Sequence, residues 1–347
     1  MMSMMTKELN TLSLNISEED YRQLDAYSYS KLSTFIKTGF SKIKYLDEKK
    51  ESKSLIFGSV LDTLMTEGEE AFQRKFLVYD EPVVSSTIYN IVWNIFKDYS
   101  SQYIKLEQIP MESVIPYLSN YYTNRKEETR YLTLIKEGAT LYDYFWLSLD
   151  KKVIDVTMYE EACKSFQTLK ESNVTRYYFA KDDPFDNVKR YYQLKFTGEF
   201  DNIPIKCMLD LILVDYTNKT IQLCDLKTTH NDEYKFYESF LKFNYYIQAQ
   251  LYTEIVKQNL EKDSYFKDFK ILPFKFIVIN PEELNPLIWE YDDNFCVTSK
   301  MYGKKSQIEC LSWRKVLKEL DYYIKCTPQY PLDINPINSI TEWLNKQ

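Results

Sequence analysis

The chain has 347 residues, 44% of them hydrophobic and 27% charged, which allows a large buried interior and excludes a disordered or fibrous protein. A formal charge of −7 offers no overall attraction to nucleic-acid phosphate, so such a partner would have to be met by basic residues gathered locally. A single His (His230) and six scattered Cys with no C-x-x-C pair argue against a zinc centre.

Residues 1–25 are polar and aperiodic, and are expected to form a tail or a lightly docked arm ahead of one domain over 26–347. From Ser30, a reasonable N-cap, the spacing of Leu32, Phe35 and Ile36 predicts an amphipathic helix. The basic residues Lys42, Lys44, Lys49, Lys50 and Lys53 alternate with Asp47, Glu48 and Glu51, the pattern of a solvated helix face. A second helix is predicted over 54–66, where Gly58 and Asp62, four apart, share a face. The stretch from about 85 to 180 is helix-rich and shows no chemistry, so it is expected to be a helical insertion; Thr157 to Glu160 has the form of a capping box.

From Tyr191 the period becomes extended. YYQLKFTGEF, IKCMLDLILV and TIQLCDLKTT read as three strands joined by the turn-forming DNIP and DYTNK. A long helix is predicted over about 235–258 with Phe240, Phe243, Ile247, Leu251 and Ile255 on its apolar face. A strand at 273–280, another near PLIWEY and a closing helix at about 311–326 complete an α+β sheet flanked by helices. No apolar run approaches the ~20 residues that span a bilayer, and the first ten residues lack a signal-peptide core, so a cytoplasmic protein with free thiols and no membrane partner is expected.

The chemistry lies in the second and third strands. Residues two apart in a strand point the same way, so Asp225 and Lys227 present a carboxylate and an ammonium on one face. A hairpin turned at Tyr216 to Lys219 brings Asp210 close to Asp225, and two converging carboxylates suit a hard divalent cation such as Mg2+. A lone D-x-K tripeptide is common by chance, and context is what gives it weight.

That context is a longer series. Glu199 stands in TGEF, Pro204 to Asp210 reads P-x-K-x-x-L-D, Cys224 to Thr229 reads C-D-L-K-T-T, and Gln248 to Tyr252 reads Q-x-x-x-Y. Upstream, YSYSKLSTF has the form S-x-S-x-L-x-x-F, and FGSVLDTLMTEGEEAFQRKF that of a G-x-x-x-H helix followed by F-x-x-x-F, with Asp62 where the His would stand. In order and spacing the chain resembles the PD-(D/E)xK nuclease superfamily, and within it the exonuclease VIII (RecE-like) and RecB-type branch, over residues 27–80 and 191–330.

The resemblance implies a restriction-endonuclease-like core: a mixed central sheet flanked by helices, interrupted by the insertion. It implies a Mg2+-dependent deoxyribonuclease, with Mn2+ as an alternative ion, hydrolysing DNA from linear duplex ends in phage or bacterial recombination or repair. A single-strand annealing protein is an implied partner, and a homo-oligomer is compatible. Asp210 and Asp225 are implied metal ligands, Lys227 the catalytic lysine, and Glu199 a further acidic group at the metal. Gln248 and Tyr252 are implied to touch the DNA backbone or position the lysine, and Asp62, as a hard oxygen donor, to join the metal ligands. Two other readings stay open. One is a Cas4- or AddB-type nuclease with an iron–sulfur cluster, for which Cys296, Cys310 and Cys326 are too widely spaced. The other is a DNA-binding protein that keeps the fold without the chemistry.

Overall fold

A computed structural model describes residues 7–46, 51–102, 104–183, 187–291 and 310–326. The chain divides into two compact units, one formed by Met1–Thr66 with Lys164–Gln347 and the other by Glu67–Cys163.

Of the two forms expected for the N-terminal residues, the described part, from Lys7, takes that of a docked arm. Leu9 is fully buried, Leu14 N donates to Lys195 O, and Glu8 pairs with Lys189. Helix α1 (Glu18–Gln23) is capped at its start by Ser17. At its end the buried Lys206 ammonium donates to the carbonyls of Tyr21, Arg22 and Leu24 at 2.7–3.0 Å, placing a cation where the helix dipole favours one. Helix α2 (Tyr29–Thr38) starts at Ser28, so Ser30 lies inside it rather than at its cap. Helix α3 (Lys53–Thr66) follows the expected range, but Lys49 and Lys50 of the basic run lie outside the described residues.

The inserted unit runs from Glu67 to Cys163, earlier than the 85–180 expected. It contains α4 (Glu69–Lys75), β1 (Phe76–Val78), α5 (Ser86–Tyr99), α6 (Met111–Val114), α7 (Glu127–Asp150) and β2 (Lys152–Ile154), which pairs in parallel with β1. It has its own core, including Val92, Ile95, Leu134, Leu141 and Tyr142. Gly138 lets α7 approach α5 closely, since a Cβ there would stand 2.6 Å from Val92 Cγ2. Helix α8 (Val156–Glu171) is capped by Asp155, whose Oδ1 accepts from Met158 N at 2.7 Å, so Thr157 does not open a capping box.

The sheet of the larger unit has six strands. β3 (Val188–Phe200), β4 (Ile203–Asp215) and β5 (Thr220–Thr228) form an antiparallel meander. β5 then pairs in parallel with β6 (Lys270–Ile271) and with β7 (Lys275–Ile279), and β7 pairs antiparallel with β8 (Pro286–Glu290), giving a mixed sheet. Between β5 and β6 the expected single helix is two, α9 (Phe236–Lys242) and α10 (Tyr245–Glu261), broken at Asn244, whose φ of 57° is left-handed. Helix α11 (Trp313–Cys326) buries Trp313, Leu317 and Leu320 in the same core as α10 and the strands. The fold is α+β with a mixed central sheet flanked by helices.

No helix among the described residues is long and apolar enough to cross a membrane. The thiols of Cys163, Cys207 and Cys224 are free, as expected, but Cys310 is disulfide-bonded and Cys296 lies outside the described residues.

Candidate active site

Turn chemistry sets the register. Asp215 Oδ1 accepts from Thr217 N and Asn218 N at 2.9 and 2.8 Å, and Lys219 takes a left-handed φ of 50°, closing a tight turn between β4 and β5. The ladder then pairs Asp215 with Thr220 and runs to Leu211 opposite Cys224. The next level is Asp210 and Asp225, so the two carboxylates stand side by side, and Asp210 Oδ2 accepts from Leu226 N at 2.8 Å. Lys227, two residues on, forms an ion pair with Asp225.

The surroundings hold these groups in graded burial. Asp225 is 3% exposed and Gln248, on α10, is equally buried, with its Nε2 donating to Asp225 Oδ1. Asp210, Lys227 and Asp62 are half-buried. The Lys227 ammonium lies 4.8 Å from the centre of the Tyr245 ring, at the start of α10. α3 packs on β4 and β5, and a Cβ at Gly58 would meet Thr228 Oγ1 at 3.8 Å, an ordinary contact. One turn after Gly58, Asp62 accepts from Gln193 Nε2 at 2.8 Å, and the same amide donates to Thr66 Oγ1 at 3.2 Å.

Gln193 was not legible as a site residue. It lies between the Tyr192–Leu211 and Leu194–Leu209 pairs, level with Asp210, and has a φ of 52° in the middle of a thirteen-residue strand. A left-handed φ costs a residue that carries a Cβ about 1–2 kcal/mol, and such strain collects where a side chain has to be aimed. Only its position opposite Asp210 in the register could have signalled it.

Electrostatics follow from the crowding. Burial, then the neighbouring Asp225 and Asp62 carboxylates, push the Asp210 carboxyl well above the usual carboxylate range, against the opposing pull of Lys227 and the Leu226 N–H. Burial pulls the Lys227 ammonium down, but Asp225, Tyr245, Tyr29 and Asp210 outweigh it and push the group up. With both carboxylates unneutralised, Lys227 is held as a cation.

Other expectations are corrected. Glu199 is exposed beside the β3–β4 turn, where Asp201 and Asn202 take left-handed φ values of 49° and 60°, and its backbone is bonded by the Gln258 side chain. It stands six strand residues from Gln193, roughly 20 Å from the level of Asp210, because a strand rises about 3.3 Å per residue. Gln248 and Tyr252 are 3% and 8% exposed, too buried to touch a DNA backbone; Gln248 positions Asp225, and the Tyr252 ring packs on Phe274. Among the described residues no three His, Cys, Asp or Glu side chains form a group that could hold a metal ion, and Glu199 is set apart from Asp210 and Asp225 by the length of the strand, whereas Asp62 lies close enough to raise the Asp210 carboxyl.

A mixed sheet with two carboxylates and a lysine on adjacent central strands is the arrangement expected of the PD-(D/E)xK class. Residues 147–284 match the family model described as a PDDEXK-like domain of unknown function (DUF3799), a span that includes Asp210, Asp225, Lys227 and Gln248. The chain thus carries a PDDEXK-like domain. No curated protein matches it. Among solved structures it is similar to a candidate exonuclease from Eubacterium rectale, at 14% identity over 90% of this chain and 85% of that one, with a TM-score of 0.43. It is also similar to the protein SSO0001, at 12% identity over 78% and 86%, with a TM-score of 0.24. At these scores the assignment rests on the family match and the site.

Proposed function

We propose that the chain is a divalent-metal-dependent deoxyribonuclease that hydrolyses phosphodiester bonds from DNA ends, in phage or bacterial recombination or repair. The observation that carries the reading is the juxtaposition of Asp210, Asp225 and Lys227 across the β4–β5 ladder, backed by Gln248. The donor set fits Mg2+, or Mn2+ in its place: only hard carboxylate oxygens are offered, two carboxylates suffice for an ion that keeps several waters, and their mutual repulsion, seen at Asp210, is relieved by a cation. Asp210 and Asp225 would hold it, and when bound it would acidify a water and offset charge at the phosphate.

The chain's own groups have separable tasks. The charge of Lys227 can orient a nonbridging phosphate oxygen and stabilise the charge that builds there. Gln248 holds Asp225 in one rotamer, and Gln193 holds Asp62 facing the Asp210 side of the site. A single-strand annealing protein is the partner class that an end-resecting enzyme would feed.

The test compares end-labelled linear duplex with covalently closed circles, each with Mg2+ and with EDTA. Consumption of the linear DNA alone, stopped by EDTA, is the expected result. Rapid linearisation of circles would mean an endonuclease, and no cleavage of either substrate would overturn the reading.

A further inference from the structure

Phe236, Phe240 and Phe243 are spaced to share one apolar stripe, and the first two are fully buried. Phe243 is not: it is 37% exposed, turned out where the left-handed Asn244 separates α9 from α10. It is nevertheless held firmly. Its carbonyl oxygen accepts from Tyr29 Oη at 2.5 Å and from Ser33 Oγ at 3.1 Å, both on α2, and its ring stacks on Tyr245 with centroids 5.6 Å apart and planes 30° apart. Tyr245 in turn covers the Lys227 ammonium, so Phe243, Tyr245 and Lys227 form a continuous series from solvent to the catalytic lysine. Lys242 Nζ lies 5.5 Å from the Phe243 ring centre, and the exposed Lys37 follows Ser33 by one helical turn on the same face of α2.

We infer that Phe243 is a stacking platform for an unpaired nucleobase of the DNA strand being cut, with Lys242 and Lys37 meeting the phosphates beside that base. The inference rests on the nuclease reading above and adds a substrate class to it. A phosphate at Lys227 brings its attached nucleoside within about one ring's breadth, which is the interval Tyr245 fills. The exposed ring supplies a flat apolar surface that any base can use, whatever its identity. Bases inside a duplex are already stacked on both faces, so the platform accepts a base only from a single strand or a frayed end. Preference for single strands and frayed ends over closed duplex then follows from the site itself.

The experiment measures equilibrium binding in EDTA, where the proposed hydrolysis stops, of an oligothymidylate and of an abasic deoxyribose-phosphate oligomer of equal length. Phe243→Ala should weaken oligothymidylate binding roughly tenfold and leave abasic binding unchanged, whereas Phe243→Trp should bind oligothymidylate as the parent does. Equal melting temperatures of the two variants exclude misfolding as the cause. Unchanged oligothymidylate binding by Phe243→Ala, or an equal loss on both oligomers, overturns the platform while metal-dependent cleavage of linear DNA still upholds the nuclease. Failure of the unsubstituted protein to bind or cut any DNA would overturn both.

Discussion

Lys227 and Asp225 are each other's counter-charge inside the site, with side-chain exposures of 18% and 4%, so removing either leaves the other uncompensated. Lys227→Ala should therefore do two things. Cleavage should fall by about 10²–10³-fold, the usual loss when a donor to developing charge is deleted, and the metal-free protein should melt lower because a buried carboxylate has lost its cation. From the sequence alone a strand lysine looks like a surface group whose loss costs little stability; the ion pair changes that expectation. Rates and melting curves in EDTA check both, and full activity in the variant would remove Lys227 from the mechanism. Gln193 is separable in the opposite sense, because its amide and its backbone strain can be removed independently. Gln193→Ala and Gln193→Gly both delete the hydrogen bond to Asp62, and both should slow cleavage equally, but only Gly relieves the left-handed φ. Denaturant unfolding should show the Gly variant about 1 kcal/mol more stable than the Ala variant. If Ala is the more stable, the strand is not strained at this position.

The α9–α10 break falls at Phe243 and Asn244, of which only Asn244 is left-handed, and it interrupts what the apolar spacing reads as one helix. Asn244→Gly should match or slightly exceed the native stability, while Asn244→Ala should lose about 1 kcal/mol and shift Tyr245 off Lys227, raising KM for DNA beyond what the stability change explains. Equal kinetics in the two variants would show that the break does not place Tyr245. The break was hidden in the sequence because Asn is tolerated inside a helix and hydrophobic spacing continues through it. The three-strand meander was legible for the converse reason. Asp215 and the residues after it fix a tight turn, and counting back from a tight turn gives the register that sets Asp210 beside Asp225. Glu199 was misplaced because spacing in a motif does not reveal that β3 carries it to the far end of the hairpin. The sequence left the N-terminal residues between a tail and a docked arm because their anchors are single groups, Leu9 and the carbonyls that Lys206 takes up, which leave no periodic pattern. β6 has two residues, too few for any pattern to show.

For the whole molecule, the crowded carboxylates make stability depend on pH and on divalent ions together. Asp210 binds its proton more tightly folded than unfolded, so between the unfolded value of about 3.9 and its raised folded value the native state holds more protons, and stability falls as pH rises through that window. Lys227 does not offset this near neutrality. Its folded value is also raised, so its contribution is fully present below the unfolded value of about 10.4 and is lost only at higher pH. A divalent ion held by Asp210 and Asp225 competes with that proton, so its affinity and the stabilisation it gives by mass action should both grow with pH. The melting temperature in EDTA should therefore decline from acid to neutral pH relative to Asp210→Asn, a comparison in which the remaining carboxylates cancel. Asn at 210 can still accept from Leu226 N through its amide oxygen, so the variant should melt about 1–3 °C above the parent at neutral pH without metal, while cutting no DNA. With Mg2+ the order should reverse, because only the parent gains from the ion. A parent that shows no Mg2+-dependent rise in melting temperature at neutral pH, or an Asp210→Asn protein that rises equally, would mean that the Asp210 and Asp225 pair holds no metal.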